Sequence, residues 1–374
     1  MNPAFQAEVL ARCGASPAEA EELRSYNENV FDLGVLGTNT ELPLPDEPFV
    51  AFWEGVADEA REVGAFAALA RHLPQLRFPL HEGIGETEDY RAATRRGVAV
   101  ETLAGATGLA VGRPELIELD LYPSPAGRIP LLICRGRAEF AALLRALTQK
   151  NEPGIVPDSQ GALMVSGYNN WGRIGELRRR WEALPADERT GTWADEFRRI
   201  QADRDLYQDR FILLSDGPYS AVPAAEMGLE EAAWREMSLV IRRDHECAHY
   251  FTRRLFGSMR NNALDELIAD WAGITAALGA YRADWFLRFM EIRLDLYRGK
   301  PPLSDGAFRV LRTLLEAAAR NLERLPAPRM PGDTALTIAA LASLRLEEIA
   351  APDAEAVIAR TIEDLRHRVR WRKV

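Results

Sequence analysis

Apolar residues recur at helical spacing along most of this chain, and short apolar runs bounded by turn residues cluster only in its middle. In "EPFVAFWEGVADEAREVGAFAALARHL", residues Phe49, Phe52, Trp53, Val56 and Ala60 follow the i, i+3, i+4, i+7, i+11 spacing that lines one face of a helix. "SPAEAEEL" places Ser16 three residues before Glu19, a capping box that starts another. The first hundred residues therefore read as mostly helical. "RFPLHEGIGETEDY" interrupts them with Pro79, Gly83 and Gly85 and reads as a loop.

In the middle, "LIELDLYP" and "IPLLICRG" flank the turn-like "SPAG" and predict a hairpin. "ALMVSGY" and "RFILLSDG" predict two more strands, with helical segments such as "AEFAALLRALTQ" and "WADEFRRIQADRDLY" among them. The tract "NEPGIVPDSQGALMVSGYNNWG" is rich in proline, glycine and asparagine and predicts an ordered loop, either plain surface or functional. After residue 228 the pattern is helical again. "LEEAAWREMSLVIRRDHECAHYFTRRLF" has no glycine or proline before Gly257, and a second helix follows "GSMRNN" through "ALDELIADWAGITAALGAY". From Trp285 onward helices continue, broken at "GKPPLSDG", "LPAPRMPGD" and "APD". No solenoid repeat appears. The expected fold class is α+β, predominantly helical, with a small sheet. The expected organisation is an N-terminal helical region (1–110), a core carrying the sheet and a helix pair (111–300) and a C-terminal helical region (301–374).

Composition narrows the function. At 374 residues the chain is too long for one minimal core, and 47% hydrophobic with 27% charged residues is ordinary for a globular protein. A net charge of -10 argues against sequence-independent nucleic-acid binding, which needs a basic footprint. Lysine occurs only at Lys150, Lys300 and Lys373; arginine and alanine are abundant, which reads as GC-rich bacterial coding, not as an arginine-based binding function. The start "MNPAFQAEVLARCGASPAEAEEL" lacks the charged-then-apolar order of a signal peptide. "ALTIAALASL" is about half a bilayer span and predicts a packed helix. Cys13, Cys134 and Cys247 form neither a disulfide framework nor a C-x-x-C pair. The expectation is a soluble cytoplasmic protein with no membrane or nucleic-acid partner.

Candidate chemistry concentrates in "LVIRRDHECAHYFTRRLFG". His245 and His249 lie one helical turn apart on one face, so their rings can converge on one ion. Zinc favours neutral imidazoles, and a catalytic zinc site keeps three protein ligands and one open position. Glu246 borders that face, where a carboxylate can serve as general base without ligating the metal. A metzincin would carry a histidine ten residues after the first, and that position is Leu255. The next helix offers carboxylates instead. "DELIAD" gives Glu266 and Asp270, again one turn apart, with Asp265 beside them. One carboxylate can ligate, and the other can hold the far ring nitrogen of a ligand histidine. Gly257 suits a helix C-cap and Asn262 an N-cap, so "GSMRNN" reverses the chain and sets the two helices antiparallel.

"HECAH" followed by "ELIAD" resembles the gluzincin zinc metallopeptidases, whose pattern is H-E-x-x-H and then E-x-x-x-D on a following helix. The resemblance covers roughly residues 229–275. It implies a zincin-like core, Zn2+ held by His245, His249 and Glu266, Glu246 as general base and Asp270 as the partner of a ligand histidine. It implies metal-dependent hydrolysis of a peptide or protein substrate. Sixteen residues separate His249 from Glu266, fewer than in the best-known members, which marks a divergent branch and keeps Asp265 as a rival third ligand. Two alternatives stand beside it: a zinc hydrolase of a non-peptide amide or ester, and a helical scaffold or binding protein with a structural or degenerate metal site.

Around such a metal, a donor to the developing oxyanion is expected, with Tyr250, Tyr281, Tyr297, His81 and His367 as candidates. "RFILLSDGPYSAV" fits either an edge strand that pairs with extended substrate or a plain core strand. The proline- and glycine-rich tract could add Asn151, Glu152, Ser159 or Asn169 to a substrate wall. Cys247 points nearly opposite to His245 and reads as core packing. The basic end "RHRVRWRKV" reads as a solvated helix end.

Overall fold

A computed structural model describes residues 3–372. The chain is α+β and mostly helical, as its apolar pattern predicts. Its contacts divide it into two units, neither a single stretch of sequence. A helical unit takes residues 3–45, 123–127 and 218–372, and a sheet unit takes 46–122 and 128–217. This division differs from three consecutive regions. The reason is that the two ends of the chain share a core: helices Pro3–Arg12 and Pro17–Tyr26 pack on Leu346–Ala350 and Asp305–Leu322.

The sheet unit holds four strands: β1 (Ile117–Ser124), β2 (Gly127–Cys134), β3 (Ala162–Asn169) and β4 (Gln208–Ser215). Their order is β1-β2-β4-β3. β4 runs parallel to β2, with Leu131 opposite Ile212, and antiparallel to β3, with Leu163 opposite Leu213. The register shifts between Ser166 and Tyr168, around Gly167 at φ 75°. β4 is therefore interior, and the edge-strand role considered for "RFILLSDG" is closed to it. Its residues Phe211, Ile212, Leu213 and Leu214 are all fully buried, the continuous apolar run of a strand covered on both faces. Helices Val50–Val63, Ala65–His72 and Arg137–Thr148 build the core through Trp53, Leu69 and Phe140 against Leu132, Phe211 and Leu213. Gly64, at φ 88°, splits what the pattern reads as one helix into the first two.

One polar node sits inside this core. The fully buried carboxylate of Asp209 accepts from Trp53 Nε1 at 2.9 Å, Asn170 Nδ2 at 2.6 Å and Arg173 Nη1 at 2.6 Å.

The helical unit is built around a motif helix (Glu231–Phe256) and a carboxylate helix (Ala263–Leu278). The motif helix ends on Gly257, at φ 73°, whose N–H reaches Arg253 O; only glycine takes this left-handed turn without strain. Asn262 stands at the N-cap position but does not cap. Its Nδ2 donates to Tyr26 O instead, and Asp265 reaches back to accept the Asn261 N–H at 2.7 Å. An arginine helix (Ala283–Arg293) follows, and "ALTIAALASL" lies largely buried in and just after helix Pro331–Ala342. The basic C-terminal stretch is only partly a helix end. Helix Ala354–Arg368 stops, and Arg370–Trp371 pairs in parallel with Glu41–Leu42; Lys373 lies outside the described residues. Among the described residues no helix is long and apolar enough to cross a membrane.

Candidate metal centre

The motif helix forms without interruption because 26 residues carry no glycine or proline, and it buries Trp234, Ile241, Cys247, Phe251 and Leu255 beside the two histidines. The carboxylate helix packs antiparallel along it, almost wholly buried. Gly273 allows the close approach: a Cβ there would stand 2.4 Å from the Ile241 carbonyl oxygen. Stepping from that contact, the motif helix presents Ile241, His245 and His249 at intervals of four. The carboxylate helix answers with Gly273, Asp270 and Glu266. The pairing His245 with Asp270 and His249 with Glu266 follows from the register.

His245 Nε2 and His249 Nε2 stand 3.1 Å apart. Glu266 Oε1 lies 3.5 Å from His249 Nε2, and Oε2 lies 3.9 Å from His245 Nε2. Bonds of about 2.0–2.1 Å at tetrahedral angles would separate donor atoms by about 3.3 Å, so the two imidazoles stand slightly closer than that and the carboxylate oxygens slightly farther. They are buried, their ligand atoms all fall within 4.8 Å of one another, and they could hold a metal ion.

Asp265 does not join them. Its carboxylate is 3.9 Å from Nδ1 of His249, the other ring nitrogen, and is engaged by the Asn261 N–H. Glu246 follows His245 on the same helix and is partly exposed.

Behind His245, Nδ1 faces Asp270 Oδ1 at 2.8 Å and Tyr219 Oη at 2.8 Å, while Tyr219 donates to Asp270 Oδ1 at 2.5 Å. One consistent proton assignment satisfies all three: the His245 proton sits on Nδ1, which leaves the Nε2 lone pair facing His249 and Glu266. Arg293 closes the network. It bonds Asp270 Oδ2 and lies 3.2 Å from Glu266 Oε2.

The electrostatics follow. Burial alone would push the Asp270 and Glu266 carboxyls up. Arg293 and His245 instead hold Asp270 down, and His249, His245 and Arg293 hold Glu266 well below the carboxylate range. Burial opposes a charged His249, but the hydrogen bond and charge of Glu266, with Asp265 and Glu246, outweigh it and lift His249 to about 9. Burial, with Glu266 adding, lifts Asp265 to about 6 against the pull of His249.

Tyr219 and Arg293 are the residues that sequence reasoning missed. Tyr219 sits on a strained turn, Tyr219–Ala221, where Ser220 and Ala221 take φ 52° and 59°. The Ser238 hydroxyl accepts the Tyr219 N–H, and Arg242 and Arg293 flank its ring at 5.6 and 5.5 Å. Strain of this kind, about 1–3 kcal/mol per residue, persists where surrounding contacts over-determine the backbone. Neither residue carries a local motif, so only the fold could reveal them.

Of the candidate oxyanion donors, Tyr297 is the one beside the cluster, where burial and the nearby Glu266 carboxylate raise its hydroxyl. Tyr250 and Tyr281 are buried in the helical core. His367 is exposed and pairs with Glu363, and His81 is exposed in the sheet unit, bonded to Glu82 O. Cys247 is fully buried, and burial, with Asp244 adding, pushes its thiol far up, as suits packing and not ligation. The proline- and glycine-rich tract does structural work. Asn151 Nδ2 donates to Gln75 O and Phe78 O, and Glu152 accepts the N–H groups of Gly83 and Gly85. Asn169 bonds Gln208, and Ser159 is exposed.

Residues 8–353 match the family described as "Family of unknown function (DUF7005)", and the chain belongs to that family. No curated protein and no solved structure matches it.

Proposed function

We propose that this member of a family without an assigned activity is a zinc-dependent hydrolase of the metallopeptidase type, with His245, His249 and Glu266 as the metal ligands and Glu246 as the general base. One observation carries the reading: three buried donors close enough to share one metal ion, next in sequence to a carboxylate that is not among them. The order of H-E-x-x-H and E-x-x-x-D on two antiparallel helices, resembling the gluzincins, supports peptide hydrolysis within that class.

Zinc, when bound, supplies Lewis acidity and lowers the pKa of water. The chain's own residues do the rest. Asp270 and Tyr219 fix the His245 ring and its proton, so that Nε2 is free to ligate. Arg293 balances the charge of Glu266 and Asp270 in a buried setting. Glu246 takes the proton from the attacking water and delivers it to the leaving amine. Tyr297, beside Glu266, is the candidate donor to an oxyanion.

The test is metal analysis joined to turnover. Purified protein should hold about one zinc per chain. Glu246→Gln should keep the zinc and lose hydrolysis of a mixed peptide pool. A folded protein that binds no zinc defeats the reading, as does a Glu246→Gln variant that still turns over.

A further inference from the structure

A pocket of 550 Å³ opens beside the cluster. Glu266, Asp265 and Tyr297 line it, and Arg260, Leu296 and Lys300 are exposed among its other walls. That volume is in the range of small-ligand sites, about 300–1,000 Å³. Its charges differ in availability. Asp265 is buried and committed to the Asn261 N–H, and Glu266 is committed to His249 and Arg293. Arg260 and Lys300 have no ion-pair partner among the described residues, whereas Arg293, paired with Glu266, and Arg298, which follows Tyr297, are both paired. Two unpaired cations on an acidic chain thus line the same pocket as Glu266. Leu296, 79% exposed, adds an apolar surface to the same opening.

We propose that this pocket holds the free carboxylate end of the substrate. Arg260 and Lys300 receive the carboxylate, and Leu296 receives the adjoining apolar side chain. The inference rests on the hydrolase reading of the neighbouring cluster and makes the enzyme one that removes a carboxyl-terminal residue. In that reaction the amide C–N bond breaks. Water gives its oxygen to the acyl carbon and a proton to the leaving amine, and the leaving amino acid is the fragment the two cations hold. An amino-terminal preference is disfavoured because the acidic groups that would receive an ammonium are already engaged.

The test compares N-acetyl-leucine with N-acetyl-leucinamide, which differ only in the terminal group, a charged carboxylate against a neutral amide, by ligand-observed NMR titration. Full-length protein is used both zinc-loaded and metal-free, at low salt. The acid should bind about tenfold more tightly than the amide in both forms, the range of a charge-assisted contact. The preference should shrink on adding salt, because both cations are exposed. In the double variant R260Q/K300Q the two ligands should bind alike, with zinc content as in the unmodified protein. Equal binding of acid and amide by the unmodified protein overturns the proposal, as does no binding of either or a preference that survives the double variant. Metal content separates the two failures. One zinc per chain without a carboxylate preference defeats the pocket alone; a preference in a protein that binds no zinc defeats the hydrolase reading alone.

Discussion

Gly273 lies against the backbone of Ile241, so closely that a Cβ on it would stand 2.4 Å from the Ile241 carbonyl oxygen. The contact is three residues from Asp270 and four from His245, so it sets the distance at which the two helices face each other across the cluster. Gly273→Ala should push the helices apart. Overpacking of this kind costs about 1–3 kcal/mol, and the zinc donors should separate with it. The expected result is a lower urea midpoint and weaker zinc binding in competition with a chelator. A variant with unchanged zinc affinity would show that the helix spacing does not set the site.

His245 has two supports, Asp270 and Tyr219, and they are not equivalent. Asp270 accepts from His245 and Tyr219 and also receives Arg293, whereas Tyr219 contributes a neutral hydroxyl. Asp270→Asn should lower zinc affinity by about 10–100-fold, the usual cost of losing a histidine's carboxylate partner. Tyr219→Phe keeps the Asp270 contact and should cost less. Chelator competition on both variants checks the order, and a larger loss in Tyr219→Phe would reverse these assignments.

Much of this site was legible in the sequence because its information is local. H-E-x-x-H needs only helical geometry to bring two rings together, and "ELIAD" needs only one chain reversal to face them. The reversal itself was readable from Gly257, but not its detail: Asn262 gives its side chain to Tyr26, a residue more than two hundred positions earlier. Tyr219 and Arg293 were invisible for the same reason, since each reaches the cluster from a separate segment. The sequence left one strand's place in the sheet open. A run such as "RFILLS" suits either a core or an edge strand, and pairing on both sides, a non-local property, decided for the core. The two-unit division was equally hidden, because the helices that open the chain pack on those that close it.

In the sheet unit, Asp209 is the acceptor for three buried donors, Trp53 on one helix and Asn170 and Arg173 at the start of another. Burial raises its carboxyl, against the opposing hydrogen bonds and charge of Asn170, Arg173 and Trp53. Asp209→Ala would leave the Arg173 guanidinium and two N–H groups without their acceptor. Breaking a buried pair from one side costs about 3–5 kcal/mol, so the variant should unfold at clearly lower urea. Because the node belongs to the sheet unit, zinc content in the remaining folded protein should match the unmodified chain. A loss under 1 kcal/mol would mean that the pair behaves as a surface one.

Glu347 is fully buried, with Oε1 accepting from Gln6 Nε2 and Asn27 Nδ2, both at 2.9 Å, while Oε2 has no hydrogen-bond partner. Burial raises its carboxyl, and the two amide donors only partly oppose this. A folded-state pKa above the unfolded value, about 4.3, means that the folded protein binds the proton more tightly. Below the unfolded pKa both states are protonated and Glu347 carries no penalty. As pH rises from there through the folded pKa, the unfolded chain ionises first and stability falls; above it the penalty is constant. Glu347→Gln keeps an acceptor for Gln6 and Asn27 but cannot ionise. Its stability relative to the unmodified protein should therefore improve between pH 4 and pH 7.5, the other carboxylates cancelling in the comparison. Urea unfolding at both pH values measures this, and a difference that does not change with pH would mean that Glu347 is no harder to ionise folded than unfolded.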